Sequence, residues 1–261
     1  HGARVVGIFE QAPVAAMVGF LRGLWRWPSK LRQALMLRSQ LLGVPYHWSS
    51  VVCAAHGDEA LREIEWDGPR GRGRIACEHL AVGYGLVPNL EPARQLGCRL
   101  ESVGAHAQVW VDARQQTSVP RVFAAGEACG IGGLDAALIE GEIAGRVAAG
   151  AYSGLPELQR RRARARAFAA ELALRFTLSP RVHALATPDT LVCRCEDVPL
   201  GALDGFVDAR DARLATRCGM GACQGRVCGA ALAELGHAAA FVPRPPLSPV
   251  RLDTLATPRR V

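Results

Sequence analysis

The residues with the most chemistry in them are five cysteines near the C-terminal end. Cys193-Arg194-Cys195 comes first, and Cys218, Cys223 and Cys228 follow within Thr216-Arg217-Cys218-Gly219-Met220-Gly221-Ala222-Cys223-Gln224-Gly225-Arg226-Val227-Cys228. On an extended segment, residues i and i+2 share a side. Cys193 and Cys195 are therefore expected to present two thiolates together. The glycine-rich loop from Gly219 to Gly225 is expected to bring Cys223 and Cys228 to the other side. Glycine permits backbone conformations closed to other residues. It also lets main-chain N–H groups approach inorganic sulfide, which raises a reduction potential. Such a set suits a [2Fe–2S] cluster with Cys193, Cys195, Cys223 and Cys228 as ligands, and hence a protein that moves electrons. Arg194, Arg217 and Arg226 lie beside these positions and would offset the negative charge. Cys218 reads as a neighbour that could replace Cys223. Three other readings compete: a structural zinc site, two disulfides, and unrelated thiols. Zinc sites usually show paired C-x2-C knuckles, whereas this chain has C-x-C and C-x4-C.

The elements that must position these thiols are those of a chain with a proper core. Hydrophobic residues make up 49% and charged residues 21% of the 261 positions, which excludes a disordered tail. No apolar run reaches the roughly 18 to 20 residues of a membrane span. The stretch from Ala12 to Trp27 is broken by Gly19, Arg22, Gly23 and Arg26 and reads as an amphipathic helix. Net charge is +7, yet Lys30 is the sole lysine, so the excess reflects an arginine bias in composition. The run from Arg160 to Arg166 continues into a helical pattern through Phe168, Leu172 and Leu174 and reads as a solvated helix face. No nucleic-acid partner is expected. Nine cysteines is an odd number, and no export signal is visible. Both point to a reducing compartment. The expected location is the cytoplasm, with any membrane association made through partners. Cys53, Cys77, Cys98 and Cys129 read as small buried hydrophobes.

Along the chain, Arg4 to Phe9 reads as a strand of a nucleotide-binding βαβ unit, ending in Glu10. An acid at such a strand end can accept hydrogen bonds from ribose hydroxyls. The glycine turn that belongs with it should lie about 20 residues earlier, so the chain is expected to be a fragment beginning inside a domain. Residues 12 to 43 are helical in pattern, interrupted near Pro28-Ser29. Val51 to Ala55 and Leu61 to Trp66 read as strands, with a turn over Asp67 to Gly73. Gly71-Arg72-Gly73-Arg74-Ile75-Ala76 fits G-x-G-x-x-A but precedes a strand rather than opening a helix, so it is rejected as a phosphate cradle. Leu80 to Asn89 is expected to be a short apolar strand entering a turn at Gly85 to Pro88. Ala107 to Asp112 alternates as a strand. Val122 to Glu127 is expected to be a buried strand ending in Gly126 and an acid. A glycine turn and a helix from about Ala136 to Ala149 follow, an arrangement that presents free N–H groups to a phosphate or a flavin edge. Residues 151 to 185 are helical and arginine-rich. His47, His56, His79 and His106 read as loop or surface residues.

These motifs carry a resemblance. Cys193-Arg194-Cys195-Glu196-Asp197-Val198 with "TRCGMGACQGRVCG" resembles the bacterioferritin-associated-ferredoxin-like (BFD-like) [2Fe–2S] domain. "VGYGLVPN" and "TSVPRVFAAGEACGIGGLDAALIEGEIAG" resemble the second half of the FAD/NAD(P)-binding pyridine-nucleotide-disulfide oxidoreductase fold. Their order resembles the alpha subunits of opine oxidases, of D-hydroxyproline and related amino-acid dehydrogenases, and of hydrogen cyanide synthase. The resemblance implies an α/β fold: a partial Rossmann-like pair of dinucleotide-binding domains followed by a small helical BFD-like domain. The implied segments are 1–78 (remainder of the NAD(P)-binding-like domain), 79–150 (C-terminal part of the FAD domain), 151–188 (linker), 189–237 (BFD-like) and 238–261 (extended proline-rich tail).

The resemblance also implies roles. Gly126 and Glu127 would approach the ribityl and phosphate part of FAD, although the wider fold usually has Asp at the second position. Gly85 and Pro88 would close the FAD domain, and Gly133 and Leu134 would lie near the isoalloxazine ring. Glu10 would serve NAD(P) or another adenine nucleotide. The implied function is a flavin and iron–sulfur electron-transfer subunit, serving a flavin-containing, D-amino-acid-oxidase-like beta subunit that oxidises the C–N bond of an amino acid, opine or imino acid. No catalytic residue for substrate chemistry is expected here. Without C-x-x-C in the nucleotide half, dithiol reductase chemistry is not expected either. An NAD(P)H-dependent reductase acting without such a partner, and a zinc-stapled interaction module, are the alternatives.

Overall fold

The computed structural model describes residues 2–237, 245–247 and 250–256, with the backbone alone at 254 and 255. It divides into two compact units, His1–Leu86 with Arg164–Ala186, and Val87–Ala163 with Thr187–Val261.

The first unit begins with β1 (Ile8–Glu10), α1 (Val14–Gly23), a 3₁₀ turn at Leu24–Arg26 and α2 (Pro28–Gln40). Pro28 at the first helical position explains the restart, since proline suits that place and no later one. β2 (Tyr46–Trp48) then runs parallel to β1, pairing Phe9 with His47. β3 (Val51–Gly57), β4 (Leu61–Gly68) and β5 (Gly71–Ala76) form an antiparallel sheet in that order. Gly71 pairs with Gly68 across a tight turn, so the rejected G-x-G-x-x-A stretch is strand β5. The rings of Phe9 and His47 stack at 4.7 Å, and His47 lies 4.5 Å from Trp66. His47 is thus a strand residue within an aromatic cluster rather than a loop residue.

Residues 77–90 form neither helix nor strand. The strand expected at Leu80 is absent because no neighbouring strand among the described residues supplies hydrogen bonds. Leu80, Val82, Tyr84, Leu86 and Val87 are exposed there.

The second unit opens with α3 (Glu91–Gln95) and the hairpin of β6 (Leu100–Val103) and β7 (His106–Val109). Leu90, Cys98, Val109 and Cys129 form its first core, bordered by Val111, Val119, Val122 and Ala124. The segment from Val122 to Glu127 makes one isolated bridge, Gln116 to Phe123, instead of a strand. It turns into a 3₁₀ segment at Gly126–Cys129 because Gly126 takes φ +76°, outside the extended range. α4 (Gly133–Ala148) follows, burying Ala136, Ile139, Glu140 and Ile143 on one stripe, the 3.6-residue spacing of an amphipathic helix.

α5 (Leu155–Arg175) carries the arginine run. Within the first unit, Phe168 of this helix meets Trp27 edge-on at 5.4 Å, and Phe20 meets Phe176 at 5.3 Å. In α6 (Pro180–His183), Arg181 donates to the carbonyls of Ser49 and Asp67 and to the Asp67 carboxylate, at 2.7–2.9 Å.

The cysteine-bearing part of the second unit comprises β8 (Leu191–Cys193), β9 (Val198–Pro199), a 3₁₀ turn at Leu200–Leu203, α7 (Ala209–Thr216) and α8 (Cys228–Glu234). Its core is Val192, Cys193, Val198, Leu203, Cys218, Cys228 and Leu232. α9 (Leu252–Ala256) follows. Much of the tail expected to be extended, Val242 to Arg244 and Ser248-Pro249 included, lies outside the described residues. No helix among the described residues is long and apolar enough to cross a membrane.

Candidate functional site

The glycine turn ahead of α4 is built by two carboxylates. Glu140 has no exposed surface, and its Oε2 accepts the Gly126 N–H at 3.0 Å while its Oε1 accepts Arg162 Nε at 3.0 Å. Glu127 reaches forward, and its Oε1 accepts the Gly133 N–H at 2.9 Å. Gly126, Gly130 and Gly133 all have positive φ. At Gly126 a side chain would also meet the Ala137 Cβ at 3.3 Å, so glycine is required there twice over. The second oxygen of Glu127 is buried and has no hydrogen-bond partner among the described residues. Buried acceptors are almost always satisfied. A ligand hydroxyl at Oε2 would complete this one, which fits the ribityl chain of a flavin.

Of the other residues expected to serve nucleotides, Pro88 is half-buried and Leu134 projects from the first turn of α4, well exposed. Glu10 and Gly85 belong to the first unit. The Glu10 carboxylate accepts the Ala12 N–H at 2.8 Å, and Gly85 is exposed with φ +149°.

The cysteines fall into a triad and a pair. Cys193, Cys218 and Cys228 are buried, with their Sγ atoms all within 4.8 Å of one another. Cys193 ends β8, Cys218 follows α7 and Cys228 opens α8, so three separate elements converge. Cys195 lies in the turn after β8, where it is exposed and hydrogen-bonded to Cys223. The extended segment ends at Cys193 and residues 194–197 form a turn, so Cys195 stands in that turn rather than on one strand face with Cys193. Arg217 Nε donates to Glu196 at 2.7 Å, tying the residue after Cys195 to the residue before Cys218.

The electrostatics differ between the two groups. Burial pushes the Cys218 thiol up to about 11, reinforced by charge at Cys193. Burial likewise pushes Cys228 up to about 12, with Cys218 and Cys193 adding to it. At Cys223 burial acts upward, but N–H groups of Val227, Gly225 and Arg226 and the Cys195 thiol bring it below the ordinary value. At Cys195 the Cys223 backbone lowers the value, while the Cys223 side chain and burial raise it on balance. Main-chain N–H groups aimed at a cysteine sulfur are what a cluster ligand needs. At Gly221 the loop comes close to Cys195, since an added Cβ would stand 2.3 Å from the Cys195 Cβ. A set of five thiols with this backbone approach fits a [2Fe–2S] cluster.

Side chains join the cysteine loop to the rest of its unit. Arg226 Nε donates to the Glu91 carboxylate of α3, and its Nη2 donates to the Leu247 carbonyl at 2.8 Å. His106 of β7 contacts Glu234 of α8. Glu140, Arg162 and Arg226 lie in stretches that residue order singles out, but their pairings, Glu140 with Arg162 and Arg226 with Glu91, are not signalled there. Helical spacing does put Glu140 on the stripe of Ala136 and Ile143, whereas Arg162 lies in the run expected to be a solvated helix face and instead meets the buried Glu140.

Residues 16–150 match the model of the pyridine nucleotide-disulphide oxidoreductase family. One opine oxidase subunit of Rhizobium meliloti (strain 1021) is 32% identical over 98% of this chain and 62% of its own. Hydrogen cyanide synthase subunit HcnB of Pseudomonas aeruginosa is 32% identical over 87% of this chain and 54% of its own. The chain thus spans less than two thirds of these curated relatives. Among solved structures, the L-proline dehydrogenase of P. horikoshii shares the fold, with a TM-score of 0.59 at 20% identity over 87% of this chain and 48% of that one.

Proposed function

The chain belongs to the pyridine nucleotide-disulphide oxidoreductase family, and on that premise we propose that it is the electron-transfer part of a flavin and iron–sulfur subunit. Its partner would be a flavin-containing, D-amino-acid-oxidase-like chain that oxidises the C–N bond of an amino acid, opine or imino acid. One observation carries the reading. In a single compact unit, a glycine turn with an unsatisfied carboxylate oxygen is followed by five cysteines gathered into a triad and a pair. The names of the relatives, subunits of opine oxidase and hydrogen cyanide synthase, support it.

When bound, FAD exchanges electrons in pairs or singly and a [2Fe–2S] cluster exchanges them singly, so together they link a two-electron oxidation to one-electron carriers. The chain's own residues position and tune. Glu127 offers its second oxygen to a flavin hydroxyl, and Glu140 locks the turn beneath it. Within the second unit, Gly126, Gly133, Leu134 and Pro88 would form the backbone approach to the flavin. Cys193, Cys195, Cys223 and Cys228 ligate the cluster in a BFD-like segment, 189–237, and the N–H groups after Cys223 hold its sulfur. Residues 1–78 and 79–150 are the remainders of the NAD(P)-like and FAD domains, 151–188 is a linker, and the working location is the cytoplasm.

The test is metal and sulfide analysis of anaerobically purified protein, with low-temperature paramagnetic resonance after reduction. About two iron and two sulfide per chain with a reduced-state signal are expected. One zinc per chain, with no visible colour even after the zinc is removed and iron and sulfide are offered anaerobically, overturns the reading in favour of an interaction module.

A second reading is a reductase fed directly by NAD(P)H. It is favoured by the parallel β1–β2 pair ending in Glu10 and by the 32% identity over 98 residues to an NAD(P)H sulfur oxidoreductase of Pyrococcus abyssi. Flavin bleaching by NADH without any partner chain would select it.

A further inference from the structure

Five thiols converge where a [2Fe–2S] cluster takes four, and the extra one is not at the margin. Cys218 is 2% exposed, as deep as Cys193 and Cys228 at 1% each, and the three Sγ atoms lie within 4.8 Å of one another. Cys195 and Cys223 form their own hydrogen-bonded pair. The side chains thus outline two overlapping donor sets: the four expected to hold the cluster, and a buried set of three sulfurs that includes Cys218.

The geometry points to a second, mononuclear metal site at Cys193, Cys218 and Cys228, which takes one thiophilic divalent cation of the zinc and cadmium class in competition with the cluster. Three sulfurs around an ion at a metal–sulfur distance of about 2.3 Å stand about 4 Å apart. The thiols need to close by less than about 1 Å to reach that arrangement. All-sulfur donors exclude magnesium and calcium and select soft ions. A divalent ion with three thiolates carries one net negative charge, and Arg213 lines the same cleft as Cys218. That cleft, walled by Leu203, Phe206, Asp208 and His237, reaches the triad at Cys218. Each thiol releases its proton to solvent on ligation, and no electron is transferred. Because Cys193 and Cys228 belong to both sets, a bound ion blocks cluster assembly and a bound cluster excludes the ion. The site is a point of mismetallation, created by Cys218. It shares two thiols with the cluster site but does not depend on the cluster reading.

The experiment uses the full chain, prepared iron-free and reduced under anaerobic conditions, and titrated with cadmium alone. One equivalent is expected to bind with a thiolate-to-metal absorption band. Cys218→Ala should weaken binding by more than about a hundredfold, since groups one shell further from a metal already account for about 10- to 100-fold. Cys195→Ser and Cys223→Ser should bind cadmium like the parent. Cys218→Ser guards against loss of fold, with circular dichroism as the check. Each variant is then offered iron and sulfide. Cys218→Ala should still develop visible colour, Cys195→Ser and Cys223→Ser should not, and cadmium-loaded parent should colour far more slowly than metal-free parent. Unchanged cadmium affinity in both Cys218 variants overturns the proposal, as does equal weakening in Cys223→Ser or unimpeded cluster uptake by the cadmium-loaded chain. If no protein colours but the cadmium pattern holds, the cluster reading and the competition with it fail, and the metal site itself stands.

Discussion

Glu140 and Gly126 are joined beneath the glycine turn: the buried carboxylate takes the Gly126 N–H at 3.0 Å on one oxygen and Arg162 Nε at 3.0 Å on the other. The turn therefore rests on an ion pair whose acid is wholly enclosed and whose base is partly exposed. Removing one partner of such a pair leaves a buried charge or donor without compensation, at about 3 kcal/mol or more. Glu140→Ala should lower stability to urea by that amount. Glu140→Gln, which keeps an acceptor for Gly126, should lose about half as much. Equal stability of Glu140→Ala and the parent chain would show that the turn holds itself.

Glu127 uses only one of its oxygens within the chain. Glu127→Gln keeps an acceptor for the Gly133 N–H and a polar group at the second position, so flavin retention should fall modestly. Glu127→Leu removes both and should lower flavin content to near zero, while costing the fold about 1 kcal/mol for the lost hydrogen bond. The measurement is the flavin-to-protein ratio after gel filtration, with thermal unfolding alongside. Full flavin retention by the leucine variant would exclude Glu127 from the binding site.

Much of this arrangement can be read from residue order, and the reasons for the rest are physical. β4 follows an alternating pattern and β3 an apolar run that need only their neighbours in sequence, whereas the turn expected over Asp67 to Gly73 shrinks to residues 69–70, because β4 runs on to Gly68 and β5 already begins at Gly71. Helices α1, α2 and α4 are signalled by local periodicity and by Pro28. The strand expected at Leu80 fails because strand formation needs a partner elsewhere, and sequence cannot say whether one is alongside. Val122 to Glu127 fails for another reason, since the positive φ of Gly126 ends extended structure where hydrophobicity alone would continue it. The cysteines are legible by type and spacing, but their grouping is not. The turn that begins at Arg194, where β8 ends, takes Cys195 off the strand that carries Cys193, and the αL residue Arg217 that ends α7 precedes the buried Cys218.

At Gly221 steric fit, rather than backbone freedom, requires glycine. An added Cβ would stand 2.3 Å from the Cys195 Cβ and 3.4 Å from its sulfur, so Cys195 must move. Gly205 is the control: it has φ +84° and nothing within 4 Å of an added Cβ. Gly205→Ala should cost about 1 kcal/mol of backbone strain and leave cluster assembly intact. Gly221→Ala should prevent colour from developing on anaerobic incubation with iron and sulfide. Colour in Gly221→Ala at the parental level would mean that Cys195 is not held where the cluster needs it.

Arg226 ends the glycine loop and joins it to α3 through Glu91, with the Leu247 carbonyl as a second acceptor. Its own N–H also faces the Cys223 sulfur, so a moving Arg226 would loosen the thiol as well as the loop. A hydrogen-bonded charge pair of this kind contributes about 1.5 to 3 kcal/mol. Arg226→Gln and Glu91→Gln should each destabilise the chain and speed iron loss to a chelator. If the two act as one contact, the double variant should lose clearly less than the sum of the single losses, with a coupling of about 0.5 to 3 kcal/mol. Strict additivity in urea unfolding would show that the loop is anchored by packing alone. Unchanged iron release in both single variants would show that the anchor does not reach the ligands.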